Sequence, residues 1–368
     1  MNILLITSHL RIGGIPVYVV TLANYLHKRG HRVFVVSGGG ELEKEIIAGV
    51  ENLHLPLDAK SILSPKIWFA LPALFRLIRK EKIDIIHAHT RVSQFASWLT
   101  SKITGAPYVI TWHGFYRPHL FRRIIPCFGN ITIAISQSVA CYLEEDFGRD
   151  KDKVRLVFNG VDVSKFINDY SPEEKKAIKS KYGLGEGPVI GIVSRVSFEK
   201  GHTFLLEAFN SLLAEAPGVQ LVIVGSGRLK PLLEKRIAEL RIKNSVFFFE
   251  TLKTREFFGI MNIFTRPSIE EPFGLGVVEA MLMGLPVVCT DVGDFRFMLD
   301  EGKAGILVSP SDSEGLKRSL LKILTDPVLA KRLGAAARDY AMVNFSADRM
   351  VSEIENVYKE AVGNCLPR

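Results

Sequence analysis

Short apolar runs alternate with amphipathic stretches along this chain, and the series runs twice. Asn2–Ile6, Val33–Val36, Ile83–His87, Tyr108–Thr111 and Ile131–Ile135 read as buried strands, while Val17–Lys28, Lys66–Lys80 and Val92–Ile103 carry their apolar residues at helical spacing. The series restarts with strands at Val189–Val193, Gln220–Val224, Val246–Phe249, Ile263–Thr265, Val287–Cys289 and Gly305–Val308, separated by helices near 202–214, 228–240, 275–283 and 312–325. Strands that are apolar throughout are buried on both faces, which calls for parallel sheets covered by helices. Two such series in 368 residues predict an α/β chain of two Rossmann-like doubly wound domains facing across a cleft. The polar segment 164–187 holds the expected seam. The expected division is 1–167, 168–345 and a last helix in 346–368 that packs back toward the first domain, with Ser346 as its N-cap.

Composition narrows the function. With 47% hydrophobic and 23% charged residues, each half can bury a core and disorder is excluded. Cys127, Cys141, Cys289 and Cys365 show no CxxC spacing and read as reduced thiols of a cytosol. The start, MNILLITSH, lacks the basic stretch of a secretory leader. The longest apolar run, Ile67–Phe75, has nine residues and contains Pro72, against about 20 for a membrane span. The expectation is a cytoplasmic protein, soluble or peripheral on the inner face of a membrane. Residues 1–165 hold 21 Lys and Arg against 13 Asp and Glu, so the whole net charge of +8 lies in the first half. That asymmetry fits either an anionic partner, such as a membrane surface or charged glycan, or solubility alone.

Ligands of open parallel sheets bind beyond the carboxyl ends of the strands, so the loops there carry the candidates. Gly13 and Gly14 follow the first strand and precede a helix; glycine permits positive φ and close approach of a phosphate or sugar, or serves a plain turn. Arg195 and Lys200, in Ser194–Gly201, leave a strand end just before a helix start near Gly201, where two cations suit a pyrophosphate and the charge of its departure; the alternative is a solvated basic loop. The segment Arg266–Ala280 places Glu271 before a helix and Glu279 inside it, with the amides of Gly274, Leu275 and Gly276 at the helix start. A carboxylate can hold two vicinal hydroxyls; the alternatives are a capping Glu271 and a surface Glu279, the latter weakened by its apolar neighbours. His113 directly follows a strand, where it could meet a substrate hydroxyl or be structural. Of His87 and His89, alternating at another strand end, only one is expected to face a cleft. Gly225-Ser226-Gly227 begins like a dinucleotide fingerprint, but Lys230 stands where the third glycine belongs, so it reads as a tight turn. No HExxH or His/Asp cluster points to a metal, and no GxSxG elbow points to acyl transfer.

Taken in order, GGIPVYVVTLANYLHKRGHRVFVVS (13–37), DIIHAHT (84–90), TWHG (111–114), AISQSVA (134–140), NGVDVSKF (159–166), SRVSFEKG (194–201), VIVGSG (222–227), PSIEEPFGLGVVEAM (267–281) and GLPVVCTDVG (284–293) resemble the family-4 glycosyltransferases of GT-B architecture. The resemblance covers nearly the whole chain, and the Glu271/Glu279 pair is its most specific motif. It implies that Arg195 and Lys200 bind the diphosphate of a UDP-, GDP- or ADP-sugar, that Glu279 holds its ribose hydroxyls, and that Glu271 touches the donor sugar with the Phe273, Gly274, Leu275 and Gly276 amides nearby. It also implies that His113 contacts the transferred sugar and that Gly13 and Gly14 line the meeting point of donor and acceptor. Such enzymes retain anomeric configuration, need no metal or other cofactor, and are assigned a same-face attack with the donor phosphate as base. The acceptor would be a glycan or lipid-linked hydroxyl of cell-surface polysaccharide or lipopolysaccharide synthesis, bound by the first domain.

Two departures stand out. Gly293-Asp294-Phe295-Arg296 replaces the commoner Gly-Gly before Pro-Glu and leaves the sugar open, whereas Glu271-Pro272-Phe273 replaces Glu-Gly-Phe at a position that tolerates Pro. On the acceptor side, the helix opening at Ser64-Pro65-Lys66-Ile67-Trp68-Phe69 and the stretch Phe115–Arg123 mix aromatic rings with cations, which suits an anionic membrane surface; alternatively Trp68, Phe69 and Leu74 are core. Two other classes remain: a nucleotide-sugar epimerase of the same fold and a non-catalytic nucleotide-sugar-binding subunit. No nucleic-acid motif is present.

Overall fold

The computed structural model describes residues 1–59, 61–116, 122, 124–166, 170–251 and 253–363. The chain divides into two compact units, Met1–Gly160 with Ala347–Arg368, and Val161–Ser346. The seam expected after residue 167 falls on 167–169, which lie outside the described residues, as does Cys365. Part of the expected linker is folded: Pro172–Lys181 is a helix, capped by Ser171 Oγ accepting from the Glu174 amide at 3.2 Å, with the Glu174 carboxylate answering the Ser171 amide.

The first unit holds a seven-stranded parallel sheet: β1 (Asn2–Ile6), β2 (Arg32–Ser37), β3 (Glu51–His54), β4 (Ile85–Ala88), β5 (Tyr108–Trp112), β6 (Ile131–Ala134) and β7 (Val154–Leu156), in the order β3-β2-β1-β4-β5-β6-β7. The second holds six parallel strands: β8 (Val189–Val193), β9 (Gln220–Val224), β10 (Val246–Phe249), β11 (Ile263–Arg266), β12 (Val287–Thr290) and β13 (Ile306–Val308), in the order β10-β9-β8-β11-β12-β13. The central runs are buried on both faces, as their unbroken apolar character requires. Each sheet is doubly wound. In the first, the chain steps outward from β1 to β3 and then returns to place β4 on the other side of β1. In the second, β11 likewise lies beside β8, opposite β9. Those reversals open a crevice beyond the carboxyl ends of β1 and β4, and of β8 and β11.

One side of the first sheet is covered by helix Gly14–Lys28 together with the terminal helix Ala347–Gly363. Tyr18, Leu22 and Leu26 from the one and Met350, Val351, Ile354 and Tyr358 from the other share a core with Ile3, Leu5, Val33 and Ile85. The second unit has its own core, in which Leu205, Phe209 and Leu212 of helix His202–Leu213 and Leu316, Leu320 and Ile323 of helix Ser313–Thr325 pack on Ile190, Ile223 and Val288. Of the residues weighed as core in helix Pro65–Lys80, Leu74 is buried, but Trp68 and Phe69 are exposed. Most of the Phe115–Arg123 stretch lies outside the described residues; Arg122 sits over the Trp112 and Tyr116 rings, 5.4 and 4.7 Å from their centroids. Among the described residues, no helix is long and apolar enough to cross a membrane.

Candidate active site

The second unit gathers a buried charged cluster at its switch point. After β8 the chain runs through Ser194–Lys200 to Gly201, where φ is +69° and helix His202–Leu213 begins. A Cβ on Gly201 would stand 1.7 Å from the Pro267 carbonyl oxygen. Glycine there is what lets the loop after β8 lie against the loop after β11. The Ile269 amide completes the contact by donating to Glu199 O at 2.8 Å. Gly225 and Gly227 serve the same close packing, since a Cβ on either would come within about 2 Å of a carbonyl in the β8 loop. That accounts for the GxG as a structural turn.

This loop-on-loop contact brings two of the sequence candidates together. Lys200 Nζ lies 2.9 Å from Glu271 Oε1, with both side chains under 10% exposed. Ser268 Oγ donates to Glu271 Oε2 at 3.1 Å, and Arg266 Nε stands 3.8 Å from the same oxygen. Glu271 therefore does not cap the following helix, which starts from Gly274 in the left-handed region (φ +94°) with no side-chain cap. Desolvation pulls the Lys200 ammonium below its ordinary range, while Glu271 acts to hold it up.

Arg266 was not among the sequence candidates. Its Nη2 donates to Val193 O at 2.9 Å, and its Nε has no hydrogen-bond partner among the described residues. The guanidinium lies beneath the start of helix Leu275–Leu282: a Cβ on Gly276 would be 3.0 Å from Nη2 and 2.9 Å from Val193 O. The only sequence signal was an arginine closing an otherwise apolar strand. Arg266 acts on Glu279 as well. Burial pushes the Glu279 carboxyl up to about 7, against the opposing pull of Arg266 and Lys165.

The other candidates in this unit stand apart. The Arg195 side chain is 71% exposed and pairs with Glu199 at 3.2 Å, outside the buried cluster. The Phe273 ring is buried and packs edge-on against Phe345, so its main chain alone is left for a ligand. Leu275 and Gly276 open the helix, where amides have no earlier helical carbonyl to bond.

The first unit carries a different group. His113, just past β5, has Nε2 3.3 Å from His89 Nδ1, and its ring is edge-on to Tyr18. Burial pushes His113 down to about 3, so it is neutral at physiological pH. His87 bridges the Tyr358 hydroxyl at 2.6 Å and Thr111 Oγ1 at 2.7 Å. The expectation that His87 and His89 face opposite ways, with one toward a cleft, does not hold: both are buried with ring centroids 4.2 Å apart. Residues two apart along a strand point to the same face, and the His89 amide still donates to Ile6 O of the neighbouring strand at 3.1 Å, so the two rings lie side by side. Gly14 begins the helix Gly14–Lys28 as expected, but Gly13 is extended (φ 161°, ψ 164°), so positive φ is not the reason for glycine there. Among the described residues, no group of three or more His, Cys, Asp and Glu is placed to hold a metal ion.

Comparison with known proteins supplies the class. The family described as Glycosyltransferase Family 4 matches residues 12–165, and the family described as Glycosyl transferases group 1 matches residues 174–340. An uncharacterized glycosyltransferase, MJ1607, of Methanocaldococcus jannaschii is 27% identical over 95% of both chains. The N-acetyl-alpha-D-glucosaminyl L-malate synthase of Bacillus anthracis is 24% identical, covering 97% of this chain and 96% of its own. Among solved structures, a glycosyltransferase from Rickettsia africae superposes with a TM-score of 0.85 at 26% identity, covering 99% of both chains. Anabaena Alr3699/HepE, in complex with UDP-glucose, does so with a TM-score of 0.84 at 21% identity, covering 98% of this chain and 100% of that one. The fold is thus that of the GT-B glycosyltransferases, with two Rossmann-like domains. The chain belongs to glycosyltransferase family 4 of the group 1 enzymes and is a glycosyltransferase.

Proposed function

We propose that this enzyme moves a sugar, with retention of configuration, from a nucleoside diphosphate to a hydroxyl of a glycan or lipid-linked acceptor. The buried Lys200–Glu271–Arg266 cluster at the β8/β11 switch point, with Glu279 beside it, carries the reading. A doubly wound sheet receives its ligand at that position. There Lys200, Arg195 and the Leu275 and Gly276 amides offer positive charge to a diphosphate. The ionised Glu279 carboxylate accepts hydrogen bonds from two ribose hydroxyls, and Glu271 from a hydroxyl of the donor sugar. In the first domain, neutral His113 and the main chain of Gly13 and Gly14 contact sugar hydroxyls.

In the proposed step, the bond from the anomeric carbon to the diphosphate oxygen breaks as the acceptor oxygen bonds to that carbon on the same face. The acceptor proton passes to the departing diphosphate, whose charge Lys200, Arg195 and the amides stabilise where it develops. No cofactor or divalent metal enters this scheme, because the cations already meet the leaving-group charge. The complex of Anabaena HepE with UDP-glucose makes UDP-sugars the first donors to try.

The test is a screen of UDP-, GDP- and ADP-sugars for donor hydrolysis and for thermal shift, with and without EDTA. The expected result is hydrolysis of one donor class, insensitive to EDTA, with Glu271→Ala losing turnover more than nucleotide affinity. Abolition by EDTA would sink the metal-free scheme. Epimerised donor in place of free sugar would reassign the enzyme, and nucleotide binding with no turnover of any donor would make it a binding subunit.

A further inference from the structure

Helix Pro65–Lys80 in the first domain is built to face something other than water. Its inner face, Ile67, Ala70, Leu71, Leu74 and Ile78, is buried. At 100° per residue the opposite face carries Trp68, Phe69 and Pro72, followed by Arg76, Arg79 and Lys80. Trp68 is 53% exposed and Phe69 78%, and Leu63, in the turn just ahead of the helix, is 71% exposed. Three large apolar side chains open to solvent at one end of a helix are more than scattered surface hydrophobics. The helix contains no Asp or Glu. Lys66 pairs with Asp58 and Lys80 with Glu81, but Arg76 and Arg79 have no ion-pair partner among the described residues.

We infer that this face docks on an anionic lipid bilayer surface, with Leu63, Trp68 and Phe69 entering the headgroup boundary and Arg76 and Arg79 meeting lipid phosphates. The charge pattern selects that occupant. A face bearing cations and no carboxylate is complementary to a negative surface, whereas a second copy of the same face would set like charges against one another. Aromatic rings beside cations on one helical face are the composition that lies in an interface without crossing it. The whole positive excess of the chain lies in the half that carries this helix, so the long-range field favours the same encounter. The inference rests on this surface and not on the donor site; what it adds to the proposed reaction is a location for a lipid-linked acceptor.

The experiment is flotation of the full chain with vesicles of phosphatidylcholine alone and with 30% phosphatidylglycerol, in low and high salt. Wild-type protein is expected to float with the anionic vesicles only, and less so in high salt. Arg76→Gln/Arg79→Gln is expected to weaken partition roughly twenty- to thirty-fold at low salt, taking about 1 kcal/mol per charge. Trp68→Ser/Phe69→Ser is expected to abolish partition and leave vesicle-free donor hydrolysis unchanged, with only a small drop in thermal stability from the edge-on contact of the half-exposed Trp68 ring with Phe95 at 6.2 Å. Equal flotation with neutral vesicles, or no loss in the Trp68→Ser/Phe69→Ser protein, overturns the inference. So does a dimer in sedimentation equilibrium that the same substitutions dissolve, or an RNA oligomer that the wild type binds in preference to vesicles. A chain that hydrolyses donor but ignores every vesicle sinks this inference alone; one that floats but has no donor activity sinks the proposed reaction alone.

Discussion

Glu271→Gln is the substitution that most directly interrogates the buried cluster. In the native protein the carboxylate faces Lys200 Nζ at 2.9 Å, Ser268 Oγ at 3.1 Å and Arg266 Nε at 3.8 Å, and the Lys200 side chain is 9% exposed. A neutral amide keeps the shape but leaves an ammonium and a guanidinium side by side in a poorly solvated site. Removing one member of a buried ion pair costs about 3–5 kcal/mol. The amide oxygen can still accept one hydrogen bond, which argues for the lower end, about 3 kcal/mol. For a domain the size of Val161–Ser346, that lowers its unfolding temperature by about 6–12 °C. Lys200→Met should cost less, because Glu271 keeps Ser268 and Arg266. Arg195→Ala removes only a largely exposed pair and should stay within about 0.5 kcal/mol. Differential scanning calorimetry of the three variants at one pH gives the order directly. The reasoning fails if Glu271→Gln unfolds within a degree of wild type, or if Arg195→Ala is the worst of the three.

Four further outcomes are expected. Because the folded Glu279 carboxyl is raised to about 7 from an ordinary 4.5, the folded chain holds a proton there that the unfolded chain has released; stability should therefore fall as pH rises from 4.5 to 7, by about 3 kcal/mol for this group, and Glu279→Gln should flatten that slope in pH-dependent calorimetry. Donor KM, in the proposed role, should rise in wild type as pH falls below 7, since only the carboxylate accepts from both ribose hydroxyls; a flat acidic limb removes that role. Gly201→Ala forces a left-handed residue and a Cβ into the Pro267 carbonyl, so it should separate the two loops, destabilise the second domain by about 2 kcal/mol or more in denaturant unfolding, and reduce turnover through the displaced Lys200. Tyr358→Phe leaves the buried His87 Nδ1 without its 2.6 Å partner and should lower stability of the first domain by about 1–3 kcal/mol in urea titration, with no loss of nucleotide affinity in the second.

The central strands could be read from the sequence because a strand buried on both faces has a nearly uninterrupted apolar run, and Asn2–Ile6, Val189–Val193 and Gln220–Val224 are such runs. Of the edge strands, β3 and β7 could not. Glu51–His54 is half polar and partly exposed, and Val154–Leu156 is three residues long, so neither has a period to detect. Helix Pro172–Lys181, with Ile178 as its one buried residue, looks like a charged linker until its cap is counted. At the candidate site, the residue types Lys200, Glu271 and Glu279 were visible, but their pairing was not. It depends on Gly201 allowing two loops 66 positions apart to touch, and a glycine looks the same in sequence whether it spares a clash or merely ends a helix. The His87–Tyr358 bond joins residues 271 positions apart, beyond any local pattern.

The return of the C-terminal helix Ala347–Gly363 to the first domain has a consequence for biosynthesis. Met350, Val351, Ile354 and Tyr358 complete the face against which Ile3, Leu5 and Tyr18 are buried. Chains usually finish their leading domain while the remainder is still being translated. Here the leading domain lacks one wall until the last helix has cleared the ribosome, whereas Val161–Ser346 can close its core earlier. The middle of the polypeptide is thus ready to mature before the beginning, and a nascent chain with Val161–Ser346 outside the ribosome and Ala347–Gly363 still within it would present a finished second domain together with an open apolar surface that invites chaperones.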